Sequence, residues 1–308
     1  MSTQSSTPQS TSRRSATGIA ALVGAGVLWG TGGVTGRALT DRAHLSGIAV
    51  GAYRLGLGGL LLVVVLLLTG GRPPVARAAW QRIASVAGLA AIYQGAFFSA
   101  VALSSVSLAT LVAIGSSPVW VLVYEACAQR RWPPRQAGVV LVALTGLALL
   151  VGLPASRSDP GRLLAGAGLA ALSGATFAAF TMLGRRPLVA VDQRTVTGYG
   201  FLLGGIILAV VTAPTTGLGF TPSLDTVGLL VFLAVVPTAI AYGLFFRGLR
   251  SVTASNATVI ALLEPLTGTL LAIALLGDRL SAAGILGGVL LGLSIIASIR
   301  TSIPPVGL

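Results

Sequence analysis

Apolar runs of close to 20 residues recur along the entire chain, and they leave few folds open to it. A helix crossing a hydrocarbon core of ~30 Å needs about 20 mostly apolar residues. Of the 308 residues 54% are hydrophobic and 9% charged, where a soluble domain carries roughly a quarter charged. The mean hydropathy is +0.92. These numbers predict an all-α polytopic membrane protein with ten transmembrane helices, at roughly 18–37, 46–69, 83–102, 107–127, 136–153, 163–184, 196–213, 226–246, 254–276 and 281–299. Pro and Gly punctuate the connections, as at Gly71-Arg72-Pro73-Pro74, Trp132-Pro133-Pro134 and Asp159-Pro160-Gly161. Only Ser104 and Ser105 separate the third run from the fourth, so nine spans is the competing count.

The net charge of +13 comes from 20 arginines and no lysine, set against seven acids. No basic-aromatic stripe accompanies that charge, which excludes a nucleic-acid partner and leaves the lipid bilayer and a small-molecule substrate. The arginines sit between the apolar runs. With the N-terminus inside, Arg37, Arg42, Arg157, Arg162 and Arg279 fall in outer segments, Arg54 lies within a span, and the other 14 are cytoplasmic. Cytoplasmic loops collect positive charge, so the expectation is a multi-pass inner (cytoplasmic) membrane protein with both termini in the cytoplasm.

The two halves echo each other. Ser107-Leu-Ala-Thr-Leu-Val-Ala-Ile-Gly-Ser-Ser-Pro118 resembles Ser255-Asn-Ala-Thr-Val-Ile-Ala-Leu-Leu-Glu-Pro265 with one residue of slippage, and Phe97-Phe98 and Phe245-Phe246 precede the two stretches. Five spans per copy is an odd number, so the second copy enters from the opposite side as an inverted repeat. The expected organisation is a disordered cytoplasmic tail over 1–17, a first five-helix repeat over 18–153, a linker over 154–162, a second five-helix repeat over 163–300 and a C-terminal tail over 301–308.

Glu264 is the most informative position. It lies about 16 Å from the cytoplasmic end of the ninth span at 1.5 Å per residue. An ionised group there costs at least about 2.5–3.5 kcal/mol unless it faces a cavity or a partner. Two readings stand: a substrate or proton site, or a neutral or paired Glu that locks helices together. Pro265 directly after it frees an upstream carbonyl, and Pro118 and Pro237 raise the same prospect of a helix break in their spans. Arg54 sits about eight residues inside the second span, placed either to clamp an anionic group, to pair with Glu264, or to snorkel outward. Trp29, Tyr53, Tyr93, Gln94, Trp120, Tyr199 and Tyr242 combine apolar faces with polar handles and are candidate pocket residues or belt anchors. Asn256, inside the repeated stretch, joins the candidates. Glu125, near Arg130 and Arg131, reads as an interfacial ion pair, and Gly284/Gly288/Gly292 and Gly51/Gly59 read as close-packing positions.

Enzyme chemistry finds no foothold in the residues. The single Cys127 and the single His44 leave no disulfide framework and no metal site, and no cofactor motif is present. Without lysine there is no phosphate-binding Gly-x-x-x-x-Gly-Lys loop. No catalytic constellation emerges among the scattered acids.

Several short stretches together resemble the EamA-like branch of the drug/metabolite transporter superfamily, across Gly18 to Arg300. They are Leu28-Trp29-Gly30, Tyr53-Arg54-Leu55, Tyr93-Gln94 with Phe97-Phe98, and Leu263-Glu264-Pro265 followed by Leu276-Gly277-Asp278-Arg279-Leu280. Asp278 stands where that family commonly has Glu. Ser117-Pro118 lacks the Glu of the apolar-Glu-Pro pattern, and Gln129-Arg130-Arg131-Trp132 lacks the acidic turn. The resemblance implies a ten-helix bundle of two inverted repeats around a central cavity, and a secondary transporter similar to exporters of amino acids and other small metabolites. Alternating access would then run around Glu264, Arg54 and the pocket aromatics. The competing class is a non-transporting membrane binding or sensor subunit built on the same bundle.

Overall fold

A computed structural model of the chain describes residues 8–152, 159–186, 191–277 and 279–302. All the regular structure among them is helical. Ten helices are long and apolar enough to cross a membrane. They are α1 (Pro8–Ala43), α2 (Gly47–Leu68), α3 (Arg77–Leu103), α4 (Val106–Gln129), α5 (Pro134–Val151), α6 (Pro160–Arg185), α7 (Gln193–Thr212), α8 (Leu224–Leu249), α9 (Ala254–Leu275) and α10 (Ala282–Ser302).

The count of ten is settled at the shortest connection. Ser104 Oγ closes α3 by donating to Ala100 O at 2.7 Å, and Ser105 Oγ opens α4 by accepting from Leu108 N–H at 3.1 Å. Two adjacent hydroxyls therefore satisfy backbone groups that a continuous helix would have paired internally. Similar caps open α2 (Ser46), α6 (Asp159), α8 (Ser223 with Thr226) and α9 (Thr253).

Two expected boundaries shift. α1 begins at Pro8 rather than after residue 17, although its membrane-crossing part starts at Ala16. Extending an already formed helix adds a hydrogen bond per residue, and nothing in Gln9–Thr17 breaks it. α6 begins at Pro160, three residues before the expected 163, because Asp159 caps it and Pro160 occupies the first turn. Most of the expected linker and C-terminal tail, together with Arg157 and Asp278, lies outside the described residues.

The packing is symmetric under exchange of the halves. α2 packs on α7 and α5 on α10. α6 packs on α3 and α4 as α1 packs on α8 and α9, and α3 meets α7 as α8 meets α2. A step of 148 residues takes Gly26 to Gly174, Trp29 to Phe177 and Phe97 to Phe245. Gly26 lies against Leu263 and Ile260 of α9, while Gly174 lies against Ala113, Ser116 and Ser117 of α4. Five crossings per half invert the second copy relative to the first, which puts the start of α1 and the end of α10 on one face, called here the terminal face. The bundle is a pair of inverted five-helix repeats.

Close crossings depend on missing side chains, as membrane helix contacts generally do. A Cβ on Gly59 would run into the backbone of Phe201 and Leu202, which fixes the α2–α7 crossing. At the α5–α10 crossing the close position is Gly287, against Gly146 and Leu150, rather than the expected Gly284, Gly288 and Gly292. The 284/288/292 spacing is regular in sequence but points partly to the surface, where Gly292 meets nothing within 4 Å.

The halves differ in helix continuity. α4 runs unbroken through Pro118, correcting the expectation of a break there. Pro118 has no N–H for Ile114 O, and Ser117 Oγ donates to that carbonyl at 2.9 Å instead. In the second half both Pro residues disturb their helices. α8 passes through a π-helical turn at Val235–Ile240 around Pro237, and α9 is interrupted at Leu262, between pieces Ala254–Ala261 and Leu263–Leu276.

Candidate functional site

The centre of the bundle is an aromatic cluster drawn from both repeats. Trp29 of α1 is 2% exposed, and its ring lies 5.0 Å from Tyr242, 5.0 Å from Phe245 and 6.0 Å from Phe177. Phe201 meets Tyr242 edge-on at 4.6 Å, and Tyr93 lies 5.5 Å from Phe177. Such offset and edge contacts are the favoured aromatic geometries. They leave a void of about 10 Å³ lined by Leu55, Leu89, Ala90, Tyr93, Phe177, Phe180, Phe201 and Tyr242. That is room for about one water molecule, so the rings fill the centre in this conformation.

Glu264 enters beside this cluster at the α9 interruption. Leu262 turns with ψ −3, and its N–H bonds Val259 O, three residues back, in place of the helical fourth. Gly30 lets α1 come up against Glu264 O, Thr267 and Gly268 at this point, which accounts for a glycine directly after Trp29. The Glu264 carboxylate has no hydrogen bond or ion pair among the described residues. It lies within Coulombic reach of Arg54, Tyr93 and Tyr242. Helices from both repeats therefore converge on one acid, one base and two phenols.

Arg54 of α2 does not form an ion pair with Glu264. Its Nη2 donates to Pro237 O at 3.2 Å and its Nε to Thr238 Oγ1 at 3.4 Å, so it is tied to the π-helical turn of α8. Thr238 Oγ1 in turn donates to Leu233 O at 2.7 Å, the carbonyl that Pro237 cannot serve. Trp29 Nε1 and Gln94 Nε2 are buried donors with no acceptor among the described residues. Gln94 lies behind Gly51, next to the Phe98 ring.

The structure thus brings together Glu264, Arg54, Trp29, Tyr93 and Tyr242, with Pro237 and Pro265 shaping the backbone around them. Other candidates stand elsewhere. Trp120 is 45% exposed on the outside of α4, because its position on the helix faces away from α6. Tyr53 OH donates to Leu218 O at 2.7 Å and stacks edge-on against Phe220, at the face opposite the termini. Tyr199 packs against Trp80. Asn256 Nδ2 donates to Ser302 Oγ at 2.7 Å at the terminal face, holding α9 to α10.

Sequence reasoning missed Phe177, Phe180 and Phe201, which lie in runs rich in Gly and Ala and carry no polar group of their own. The 148-residue step from Trp29 to Phe177 was the available signal. It also missed the partner of Glu125, which faces Arg185 at 4.0 Å and accepts from the backbone N–H groups of Ala254 and Ser255. Arg130 instead takes a left-handed turn that carries the chain away from α4. On the same face Arg82 donates to Leu183 O at 2.6 Å and Arg186 O at 3.0 Å, closing the end of α6.

A ten-span bundle with two inverted repeats and ionisable groups gathered at their junction is the architecture of a polytopic membrane transporter. The family model of the EamA-like transporter family matches twice, over residues 16–152 and 164–300, one match to each half. The chain belongs to that family and is a membrane transporter. It is 30% identical over 278 residues to transporter YwfM of Bacillus subtilis, covering 89% of this chain and 91% of that protein. It is 28% identical to inner membrane transporter YicL of Salmonella typhimurium, covering 88% and 91%. A crystal structure with 20% identity superposes with a TM-score of 0.75, covering 96% of this chain and 97% of the other, and shares the fold.

Proposed function

We propose that this chain exports amino acids or related small metabolites across the cytoplasmic membrane by alternating access, with both termini in the cytoplasm. The observation that carries the reading is the Glu264 carboxylate. It has no partner among the described residues, it sits at a helix interruption where the two repeats meet, and a guanidinium and two phenols share its field. A purely structural acid at such depth would be expected in a direct pair. An acid and a base that do not touch each other suit a ligand carrying both charges, and the aromatic faces suit its apolar part. Collapse of the rings around a one-water void fits a closed stage of a cycle in which rocking of the repeats opens the centre to either side. The bias of 14 arginines against five between the two faces supports the orientation.

The test is flux in proteoliposomes loaded with radiolabelled amino acids and related metabolites, with and without a pH gradient. Efflux of one class that is lost in Glu264→Gln is the expected result. Efflux indifferent to Glu264→Gln would remove the carboxylate from the mechanism. No efflux above empty liposomes from folded protein would favour a binding or sensor role for the bundle.

A further inference from the structure

Arg54 lies deep in α2, yet its donors serve protein acceptors on α8. Nη2 bonds Pro237 O and Nε bonds Thr238 Oγ1, while Nη1 has no acceptor among the described residues. Both bonds are long, and both acceptors are neutral. Thr238 is fully buried, and its single proton is committed to Leu233 O at 2.7 Å. A hydroxyl that donates in one direction must accept in the other. The Thr238 lone pairs are thereby aimed at Arg54, and Gly58 and Gly32 leave the space in which Thr238 and Pro237 approach α2 and α1. Pro237 has no N–H for Leu233 O, which leaves that carbonyl to the Thr238 hydroxyl, so the π-helical turn and the seat of the guanidinium meet at one proline.

We propose that Thr238 is a positioning residue that parks Arg54 on the π-helical turn, and that a carboxylate-bearing substrate takes the guanidinium over from Pro237 O and Thr238 Oγ1. This rests on the transport reading above and specifies its substrate as one with a carboxylate head. A carboxylate offers two charged acceptors to the flat fork of an arginine, and such charge-assisted pairs are about twice as strong as neutral ones. The exchange runs forward for a carboxylate. It does not run forward for an amide, which offers one neutral acceptor, or for a cation, which offers none. Because α2 belongs to one repeat and α8 to the other, moving Arg54 onto the substrate unties a bond across the repeat junction. Occupancy is in this way coupled to freedom of the π-helical turn.

The experiment is amide hydrogen exchange over Val235–Tyr242 in the full-length protein in nanodiscs. Wild type, Thr238→Ser and Thr238→Val are compared with no addition, with an equimolar mixture of the twenty amino acids, and with the corresponding amino-acid amides. Thr238→Ser keeps the hydroxyl and should match wild type. Thr238→Val should exchange roughly ten- to a hundredfold faster in this segment alone, the factor expected from the two net hydrogen bonds it loses. The amino acids should raise wild-type exchange toward the Thr238→Val rate, and the amides should not. Unchanged exchange in Thr238→Val, faster exchange spread over all helices, an equal response to amides, or no response to either mixture would each overturn the proposal. The comparison of variants needs no flux, so a failure of transport in liposomes is read separately.

Discussion

Replacing Glu264 with glutamine keeps the shape of the side chain and removes its charge. At this depth an ionised carboxylate costs at least about 2.5–3.5 kcal/mol. Arg54 returns part of that. Two unit charges 4 Å apart attract by about 4 kcal/mol at an effective dielectric of 20, and the pair here is not within ion-pair contact, so the attraction is smaller. The two contributions are of similar size and opposite sign. Stability of Glu264→Gln should therefore lie within about 1 kcal/mol of wild type, while coupled flux is lost. A structural ion pair behaves differently, because removing one partner of a buried pair costs about 3–5 kcal/mol. Thermal or SDS-driven unfolding in micelles, run beside the flux assay, measures both quantities on one preparation. A loss of 3 kcal/mol or more, or full flux in the variant, would refute the assignment of Glu264 to substrate or proton handling.

Gly59→Val should destabilise by about 1–3 kcal/mol or prevent assembly, since its side chain collides with the backbone at Leu202; yield and monodispersity after extraction report it. Ser117→Ala should cost about 0.5–1.5 kcal/mol in the same unfolding assay, because the Ile114 carbonyl beside Pro118 loses its donor, and Ser117→Thr should recover most of it. Trp120→Ala should leave flux unchanged, as the side chain faces away from the centre; reduced flux in folded protein would bring it back into the site. Cys127, exposed near the terminal-face end of α4, should resist a membrane-impermeant maleimide in intact cells and react after permeabilisation; labelling in intact cells would reverse the orientation.

Much of this architecture is legible in the sequence because bilayer thickness leaves a helix little choice of length. The ten spans, and the odd number per half, follow from that single constraint. Glu264 was visible for the same reason, since an acid in an apolar run has few innocent explanations. What a residue touches was far less visible. From sequence Arg54 reads as a clamp for an anionic group, a partner of Glu264 or a snorkelling side chain, and its tie to Pro237 O depends on a distortion in another helix 183 residues away. Pro118 and Pro265 share one sequence context, yet the residue before each decides the outcome. Ser117 donates to the carbonyl that Pro118 frees and its helix continues, whereas Glu264 makes no such bond and its helix is interrupted at Leu262. Trp120 and Trp29 are equally conspicuous in the sequence, and only the direction of neighbouring helices separates a lipid-facing ring from the central one.

The restriction of both broken helices to the second repeat bears on the energies of the transport cycle. In a two-copy machine with identical halves, swapping the roles of the copies would turn an inward-open form into an outward-open one of equal energy. Here α8 and α9 carry backbone defects that α3 and α4 lack, so that degeneracy is lifted. Under the alternating access proposed above, the two open forms then differ in energy. That bias is written in the residues that break the internal likeness, with Pro237 and Glu264 on one half and Ser117 on the other.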